Sequence, residues 1–411
     1  MTATMMHPGP LLSLAAAGLS EHVRRTGQLP WQGPGGRLIG LLERAGLTGR
    51  GGAGFPTWRK LAAVAVGERP VVIGNGAEGE PASAKDRTLL TRAPHLVLDG
   101  LQLAAEAVGA DDCYLYVPAR IADRARQALA DRAGRDRFAV TVVEAPDTFV
   151  AGEESAVIAR IAGRRALPTD KVDLVVRSGL RGRPTLVQNV ETLAHLAVIA
   201  HRGPAAFRRS GTEAEPGSFL ATIGGAVATP GVYEAPYGIR LGGLLELAGG
   251  PATQPGRDGG KQPLSAVLVG GYHGAWLPIA DAVSAPMSRA GLAPFGATPG
   301  AGVVHALPAS YCGLVETARI TGYLAEQSAR QCGPCRNGLP MMATTLHRLA
   351  AGERDSRLPD QLARLAALVV NRGACHHPDG TVRLVRSALR VFAAEIDLHL
   401  AGRCSTVEGR R

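Results

Sequence analysis

Strands and helices alternate through the first half of this chain, and that alternation restricts the fold more than any other feature of the sequence. The short β-like runs "PVVIGN", "DDCYLYVPA" and "FAVTVVEAP" are separated by the helical stretches "HLVLDGLQLAAEAVGA" and "RIADRARQALADRA". A strand, a crossover helix and a second strand form the unit of a parallel sheet covered by helices. We therefore expect residues 1–205 to form an α/β domain with a largely parallel sheet.

The rest of the sequence contains two segments that differ in composition and in the spacing of apolar residues. Between 210 and 295, glycine and proline punctuate short strand-like runs on either side of "IRLGGLLELAGG", which predicts a small α+β domain with one helix. From 300 to 411, stretches such as "GLVETARITGYLAEQSA" carry apolar residues at three- and four-residue spacing, which predicts an all-α helical bundle. Residues 250–263 and 296–299 are the predicted linkers.

Length and charge exclude several classes of protein. A chain of 411 residues with 45% apolar composition is long enough for two or three globular domains. Its net charge of +10 comes mostly from arginines spread along the chain, and 4% of its residues are aromatic, so a solvated basic surface is favoured over a nucleic-acid-binding stripe. No apolar run reaches the length of a membrane helix, and "PLLSLAAAGLS" lacks the basic region of a secretion signal, which predicts a cytoplasmic protein.

The glycine-dense segment "GRGGAGFPTWRK", residues 49–60, is the first candidate site. Residues without side chains let backbone N–H groups approach a phosphate or a flavin ring closely, and Arg50 and Lys60 would neutralise the anion. The spacing matches neither the dinucleotide fingerprint nor the Walker loop, so an ordinary turn is the alternative. The strand "PVVIG" follows, and ligands bind at strand ends in α/β sheets.

Polar residues crowd the turn "NGAEGEPASAKDR" directly after that strand. The carboxylates of Glu78 and Glu80 would accept hydrogen bonds from ribose hydroxyls or an amide, and Asn75 would pair with a flavin edge. A solvated, salt-bridged loop is the alternative interpretation of these charges.

Two helix starts carry further polar pairs. Glu153 and Glu154 follow a glycine at the first, where the helix dipole favours acidic residues whatever the function. Gln188 and Asn189 precede the second, where they either cap the helix or hold a ligand.

The stretch "SARQCGPCRNG" places Cys332 and Cys335 at the spacing of metal-binding or redox-active thiols. The next cysteine, Cys375, lies in "RGACHHPDG" beside His376 and His377, and a helix–loop–helix arrangement would bring it back to the pair. A disulfide framework is not expected in a cytoplasmic protein of this size. Two buried thiols and an unrelated turn cysteine are the alternative.

Taken together and in this order, these segments resemble the flavin- and NADH-binding subunit of respiratory complex I and of related soluble hydrogenases and formate dehydrogenases. The resemblance runs from about Leu47 to the end of the last helix, and the chain is identified as a member of that family. It implies an FMN/NADH-binding α/β domain at 1–205, a β-grasp-like SLBB domain at 210–295 and a helical iron–sulfur-binding domain at 300–411.

The family's motifs match this sequence segment by segment. "GRGGAGFPT" matches the glycine loop that lines the flavin and dinucleotide site, "NGAEGEP" resembles the family's Asn-Ala-Asp-Glu-Gly-Glu-Pro, and residues 152–154 match the Gly-Glu-Glu that borders flavin and nicotinamide. The cofactor-binding residues that the resemblance implies are Gly49, Arg50, Gly51, Gly52, Gly54, Phe55, Lys60, Asn75, Glu78, Glu80, Gly152, Glu153, Glu154, Lys171, Gln188 and Asn189.

The cluster motif departs from the family in one ligand. The family run reads Ser-Cys-Gly-x-Cys-x-Pro-Cys-Arg, with a fourth cysteine about forty residues later. Here Ala329 stands in the first cysteine's place, and Cys332, Cys335 and Cys375 match the other three. This set implies a [4Fe-4S] cluster with a neighbouring histidine, water or an external ligand on the fourth iron; a [3Fe-4S] cluster or no cluster are the alternatives.

The implied activity is that of an NADH:acceptor oxidoreductase, in which electrons pass from NADH through FMN to the cluster and a partner carrier. The implied partner is a small thioredoxin-like [2Fe-2S] subunit or a ferredoxin-type acceptor, with no nucleic acid and with a membrane reached only through partner subunits. The alternative is a non-catalytic flavin- or cluster-binding scaffold that has lost NADH oxidation. This alternative is supported by the positions at which the sequence departs from the family pattern. These are Ala77 in place of an aspartate, Phe149 in place of a tyrosine, Ala329 in place of a cysteine, and "KVDLVV", which keeps Lys171 but loses a phenylalanine.

Overall fold

The computed structural model describes residues 9–170, 173–253 and 260–406, and its helices and strands fall into three groups along the chain. The first group contains the elements α1 (Pro10–Ser13), α2 (Leu19–Thr26), α3 (Gly36–Ala45), α4 (Thr57–Ala65), β1 (Val71–Asn75), α5 (Lys85–Arg92), α6 (Pro94–Val108), β2 (Asp112–Pro118), α7 (Ala119–Asp131), β3 (Val140–Ala145), α8 (Glu154–Ile161), β4 (Thr185–Asn189) and α9 (Val190–Arg208).

The second and third groups follow in chain order. The second contains β5 (Ser218–Gly225), β6 (Gly231–Pro236), α10 (Leu241–Leu247), β7 (Leu264–Val269), β8 (Ala275–Pro278), α11 (Ile279–Ala282), α12 (Arg289–Leu292) and β9 (Val303–Pro308). The third contains α13 (Gly313–Glu326), α14 (Leu339–Ala350), α15 (Leu358–Val369), α16 (His377–Val391) and α17 (Ala393–Leu400).

The first sheet is parallel throughout and has the strand order β3-β2-β1-β4. The chain builds outward from β1 to β3 on one side and then returns to place β4 on the other side. In an open parallel sheet, the crevice outside the carboxyl ends of the two strands where the order reverses is the usual ligand site. Here that crevice lies above the ends of β1 and β4.

Helix α6 forms the centre of the first domain, and each of its residues is buried. It packs against α9 so closely that a Cβ on Gly100 would lie 1.9 Å from the carbonyl oxygen of Leu193. A helix that is buried on every side has no solvated face, and its acidic residues Asp99 and Glu106 are paired with Arg132 and Arg137. Such a helix gains its stability from packing rather than from intrinsic helix propensity.

The second sheet is mixed and has the order β6-β5-β9-β7-β8. Strand β9 runs parallel to β5 and antiparallel to β7, so residues 303–308 belong to this sheet although the sequence placed the third domain from 300 onward. The expectation of one helix in this region was wrong: the two four-residue helices α11 and α12 accompany α10, and helices this short leave no apolar periodicity in the sequence.

The second sheet and the helical bundle share one core. Trp276 on β8 is fully buried between them, where its indole Nε1–H donates to Thr317 Oγ1 at 3.0 Å. Its backbone N–H donates to Ser387 Oγ at 2.9 Å. These bonds join β8 to both α13 and α16, so the bundle is held in a fixed position on the sheet.

The N-terminal segment is attached to the second sheet. The first backbone N–H groups of α1, on Leu11 and Leu12, donate to the Glu234 carboxylate on β6 at 3.1 and 2.8 Å. Burial raises the pKa of Glu234 to about 7.

None of the helices in the described part of the chain is both long enough and apolar enough to cross a lipid bilayer.

Candidate functional site

The strand register brings three predicted amide residues together at the switch point. Asn189 is the register partner of Asn75 at the ends of β4 and β1, and Gln188 is paired with Gly74 one position earlier. Asn75 Nδ2 donates to the carbonyl of Gly152 at 2.9 Å. Gln188 is 4% exposed, and its Nε2 has no hydrogen-bond partner among the described residues, so a buried donor remains available for a ligand.

The glycine loop, residues 49–55, closes over the end of β4. Gly52 and Gly54 have φ values of 103° and 63°, a region that glycine reaches without strain. A Cβ on Gly51 would lie 3.3 Å from Asn189 Cβ, so the loop backbone lies against the end of that strand. Phe55 completes the loop with a side chain that is 48% exposed, which leaves the ring free to stack on a ligand.

Arg50 anchors the base of the glycine loop. Its backbone N–H donates to Thr192 Oγ1 at 2.8 Å, and its buried guanidinium donates to Thr48 Oγ1 at 2.8 Å and to the carbonyl of Pro216 at 3.2 Å. The guanidinium also lies over the Tyr237 ring, 4.6 Å from its centroid. The side chain therefore fixes the loop against the second domain.

Lys60 links three parts of the site. From α4, its Nζ donates to Glu154 Oε1 at 2.6 Å and to the carbonyl of Val187 on β4 at 3.2 Å. Glu154 begins α8, and the preceding Glu153 caps that helix by accepting from the N–H groups of Ser155 and Ala156. The remaining predicted lysine, Lys171, lies outside the described residues.

The turn before α8 needs glycine for packing. A Cβ on Gly152 would lie 2.5 Å from the carbonyl oxygen of Ala77, and a Cβ on Gly79 would lie 2.1 Å from that of Phe149. The two backbones therefore touch, and the Gly-Glu-Glu segment lies directly against the acidic loop, residues 75–84.

Glu78 and Glu80 are half-buried in the acidic loop and hydrogen-bonded within the protein rather than solvated. Glu78 accepts from Ser83 Oγ and from the Asp86 N–H; burial, reinforced by the Asp86 charge, raises the pKa of Glu78 to about 8. Glu80 accepts from the N–H of Tyr272 at 2.7 Å, and burial raises its pKa to about 7. Both carboxyl groups therefore titrate near neutral pH.

A cavity of about 470 Å³ borders the same loop. It lies between Glu78 and Glu80, the side chains of Arg87 and Arg120, and Tyr323 at the end of α13. Its volume is in the range of small-molecule sites.

A buried charge network behind Asn189 was not predicted from the sequence. Lys85 is 2% exposed, and its Nζ lies 2.6 Å from Asp86 Oδ1 and 3.1 Å from Glu191 Oε2. Burial alone would lower the pKa of Lys85, but Asp86, Glu191 and Glu78 outweigh it and raise that pKa above its usual value. Asp86 also accepts from Asn189 Nδ2 at 2.7 Å, so the network orients the amide at the end of β4.

The three predicted cluster cysteines lie together. Burial opposes ionisation of Cys332, but the backbone N–H groups of Ala374 and Cys335 outweigh it and lower the pKa of Cys332. Cys335, in the π-helical turn Pro334–Gly338, is buried; burial and the neighbouring sulfurs of Cys332 and Cys375 raise its pKa to about 12. Three convergent thiols are the donor set that iron–sulfur clusters use.

The fourth position of this thiol site has no cysteine. Ala329 is half-buried there, and its methyl group offers no ligand atom. Arg330 beside it has a φ of 54°, a left-handed conformation usual for glycine. Any fourth ligand must therefore come from elsewhere in the chain or from outside it.

The expectation that His377 ligates the fourth iron finds no support, because both of its ring nitrogens are engaged. Nε2 donates to the carbonyl of Leu324 at 2.8 Å, and Nδ1 accepts from His273 Nε2 at 3.1 Å. The neighbouring His376 is exposed and lies near Asp379.

Aromatic rings connect the flavin motif to the thiol site. The Phe149 ring lies 4.6 Å from the His273 ring and 5.3 Å from that of His377, two residues after Cys375. The Phe149 N–H also donates to Gln327 Oε1 at the end of α13. These contacts hold the Gly-Glu-Glu segment against the bundle.

The residues present fit the cofactors that the motifs imply. The unpartnered Gln188 amide and the side-chain-free loop leave hydrogen-bonding surface for a flavin nucleotide at the switch point. The three thiols supply soft anionic ligands for a cluster.

Known proteins match this chain over most of its length. Residues 42–198 match the Nuo51 FMN-binding domain, residues 220–263 the SLBB domain, and residues 315–399 the NADH-ubiquinone oxidoreductase-F iron-sulfur binding region. An NADH-quinone oxidoreductase F subunit of Rhizobium meliloti (strain 1021) is 33% identical over 383 residues, covering 89% of each chain. The corresponding F subunit of Streptomyces coelicolor is 30% identical, covering 89% of this chain and 83% of the relative.

Solved structures of similar fold support the same family assignment. The crystal structure of an NAD+-reducing [NiFe]-hydrogenase in the air-oxidized state gives a TM-score of 0.84 at 31% identity, over 95% of this chain and 67% of the hydrogenase chain. The H2-reduced state gives 0.79 at 30% identity, over 89% of this chain and 62% of that chain. The predicted fold class and family resemblance are thus confirmed, and the chain belongs to the family of NADH-quinone oxidoreductase F subunits, with their FMN-binding domain and their iron–sulfur binding region.

Proposed function

We propose that this chain oxidises NADH at an FMN held at the switch point of the first sheet, and that electrons leave through the iron–sulfur site to a partner carrier. Bound FMN supplies the change from two-electron to one-electron chemistry that no side chain offers. The observation that carries the proposal is the register of β1 and β4, which pairs Asn75 with Asn189 at the strand ends, one position beyond Gln188, with Gly51 of the glycine loop against Asn189.

The side chains and amides of this chain bind and orient the flavin nucleotide. Backbone N–H groups of Gly51, Gly52 and Gly54 are the proposed phosphate ligands, because a loop without side chains admits close approach of an anion. The Gly49 N–H donates to the carbonyl of Phe55 at 2.9 Å and closes the loop. The proposed ring contacts come from the amides at the two strand ends and from Glu78. Arg50 and Lys60 add positive potential while holding the loop and α8 in place.

The dinucleotide is proposed to bind on the open side of the same crevice. The exposed Phe55 ring offers a stacking surface, and Glu80 offers an acceptor for ribose hydroxyls. Gly152, Glu153 and Glu154 border the position between the two ligands, and Lys171 remains a predicted contact from the sequence motif.

Cys332, Cys335 and Cys375 are the proposed ligands of a [4Fe-4S] cluster with three protein thiolates. With one thiolate fewer than in the family pattern, the cluster carries less negative charge, and its reduction potential rises accordingly.

The division into domains at 1–205, 210–295 and 300–411 is part of the proposal. The pairing of β9 with β5 favours moving the second boundary to the end of β9.

The NADH-quinone oxidoreductase relatives are subunits by name, so partner subunits are expected here as well. The proposed electron acceptor is a small thioredoxin-like [2Fe-2S] subunit or a ferredoxin-type protein. A net charge of +10 favours an acidic partner, because complementary charge increases the association rate.

A second candidate is a cofactor-binding scaffold that no longer oxidises NADH. It is favoured by Ala77, where the family's carboxylate is replaced by a methyl group, and by the missing thiolate at Ala329. Anaerobic mixing of the FMN-loaded protein with NADH separates the two functions. We expect NADH to bleach the flavin absorption and to support turnover with ferricyanide as acceptor. If the flavin stays unbleached at saturating NADH, the chain is a scaffold that does not oxidise NADH.

Replacing Gln188 by leucine tests the flavin site. Gln188→Leu removes a buried donor that has no partner in the described chain, so we expect the stability of the flavin-free protein to be unchanged or slightly increased. We expect FMN binding to weaken about tenfold or more, since a hydrogen bond to a buried donor is lost. Titration of the flavin-free protein with FMN, followed by flavin fluorescence, measures the affinity.

Gln102→Leu is the matched control for that variant. Gln102 is also buried, but its amide donates to the carbonyl of Phe138 at 2.7 Å and accepts from the Phe138 N–H at 3.0 Å. This variant should lose stability and keep its FMN affinity. Equal FMN affinity in wild type and Gln188→Leu would contradict the proposed flavin site.

The titration of Glu80 predicts a pH dependence of NADH binding. Because the pKa of Glu80 is raised to about 7, the group is a neutral acid below that pH and a carboxylate above it. A carboxylate is the better acceptor for ribose hydroxyls, so we expect NADH affinity to increase as the pH rises through about 7 and to fall on acidification. Equilibrium binding of NADH as a function of pH measures the effect.

Glu80→Gln should flatten that pH profile. Glu234→Gln is its control, because burial also raises the pKa of Glu234 to about 7 but Glu234 lies beneath α1, where it contacts Leu11 and Leu12. The control should keep the pH dependence. If the pH dependence of NADH binding is unchanged in Glu80→Gln, a group other than Glu80 is responsible for it.

The ligand role of Cys375 predicts loss of iron. We expect Cys375→Ser to lower the iron and sulfide content of anaerobically purified protein and to bleach the cluster's visible absorption, since two thiolates remain. Cys113→Ser is the control, because Cys113 on β2 is buried and lies outside the thiol site. Unchanged iron content in Cys375→Ser would remove this residue from the ligand set.

A further inference from the structure

A second cluster of metal-ligating side chains lies in the helical bundle, formed by residues outside the thiol site. Cys312, Glu395, His399 and Cys404 each offer one ligand atom, and these four atoms all lie within 4.8 Å of one another. The two cysteines and the histidine are buried, with exposures of 2%, 9% and 1%. No sequence motif marks this cluster, because the four residues are spread over the last quarter of the chain.

Secondary structure positions each of the four side chains. Cys312 is the N-cap residue of α13. Glu395 and His399 stand four residues apart on α17, so both side chains project from the same face of that helix. Cys404 follows in the turn after α17 and reaches back to the Glu395 carboxylate.

The hydrogen bonds of His399 determine which nitrogen faces the cluster. Its Nδ1 lies 3.1 Å from the carbonyl oxygen of Leu349, which only accepts, so Nδ1 carries the proton and donates. Nε2 therefore faces Glu395 Oε1 at 3.2 Å and Cys312 Sγ at 3.5 Å. Without a metal, a proton on Nε2 or on the thiol satisfies these contacts; a metal ion would replace that proton and bind the Nε2 lone pair directly.

The surroundings resemble the outer shell of a metal centre. Ligating histidines usually donate their second ring N–H to a backbone carbonyl, as His399 does to Leu349. Ligating carboxylates are also hydrogen-bonded, and Glu395 accepts from both the backbone N–H and the hydroxyl of Ser405. Both contacts orient the side chains that carry the ligand atoms.

We propose that Cys312, Glu395, His399 and Cys404 bind one zinc ion. Two thiolates, an imidazole nitrogen and a carboxylate oxygen are the ligand types of tetrahedral zinc. A tetrahedron with Zn–S bonds of about 2.3 Å sets its sulfurs about 3.8 Å apart, which the observed separations allow. Because the protein supplies four ligands, no position is left open for substrate, and the site is structural.

The ion would join three elements at one point. It would connect the start of α13 to α17 and the turn after it, while the Leu349 contact adds the end of α14. Zinc has no redox chemistry under these conditions, so the ion would take no part in electron transfer. Its effect would be to fasten the C-terminal helix to the bundle that carries the thiol site.

Metal content and X-ray absorption of the anaerobically purified holoprotein test this proposal. We expect one zinc per chain by mass spectrometry, and at the zinc edge two sulfur neighbours at about 2.3 Å together with nitrogen or oxygen at about 2.0–2.1 Å. Measured on wild type, this spectrum does not depend on the folding of any variant. Absence of zinc, or a zinc shell with three sulfurs, would overturn the proposal.

Variants separate this site from the thiol site. Cys404→Ser and His399→Asn should lose zinc and keep iron, whereas Cys335→Ser should lose iron and keep zinc; Cys113→Ser should keep both. Loss of zinc in Cys335→Ser would place the ion among the iron ligands instead. A disulfide between Cys312 and Cys404 in the native holoprotein, detected by thiol labelling and mass spectrometry, would likewise contradict the proposal.

Discussion

The burial of one ammonium group, that of Lys85, is the constraint on which the arrangement of the first domain depends. Removing such a charge from water costs several kcal/mol, and the pairing with Asp86 and Glu191 offsets that cost. The same carboxylates also bind residues outside this ion pair. Asp86 accepts from the side-chain amide of Asn189, and Glu191 accepts from the Leu220 N–H at 2.8 Å. One buried network therefore fixes the end of β4 and the contact between the first and second sheets.

The second domain is more than a spacer between the flavin and iron–sulfur regions. Its Tyr272 N–H holds Glu80, and its Arg289 guanidinium donates to the carbonyl of Gly52 at 2.9 Å, so it contacts the acidic loop and the glycine loop at once. Through Trp276 the same domain is packed into the bundle. The relative position of the candidate flavin site and the thiol site thus depends on a sheet that supplies neither set of predicted ligands.

Local sequence signals predicted the local features of this structure and failed where distant residues meet. The strand–helix alternation of the first domain and the amides at strand ends could be read directly, because each depends on a few neighbouring residues. Strand β9 was assigned to the bundle, since nothing in "VVHALP" reveals pairing with β5 some eighty positions earlier. Lys85 looked like a solvated charge because its partner Glu191 is equally remote, and the grouping of Cys312 with His399 is visible only in three dimensions.

The complete burial of α6 has a consequence for how the protein is made. During synthesis this helix leaves the ribosome before β2, β3, β4 and its main partner α9, whose Leu193 carbonyl touches Gly100 in the finished fold. Until α9 is translated, α6 has no complete apolar surface to bury itself against, and exposed apolar segments of nascent chains aggregate or bind chaperones. The first domain therefore completes its core late in translation, only once α9 has been synthesised.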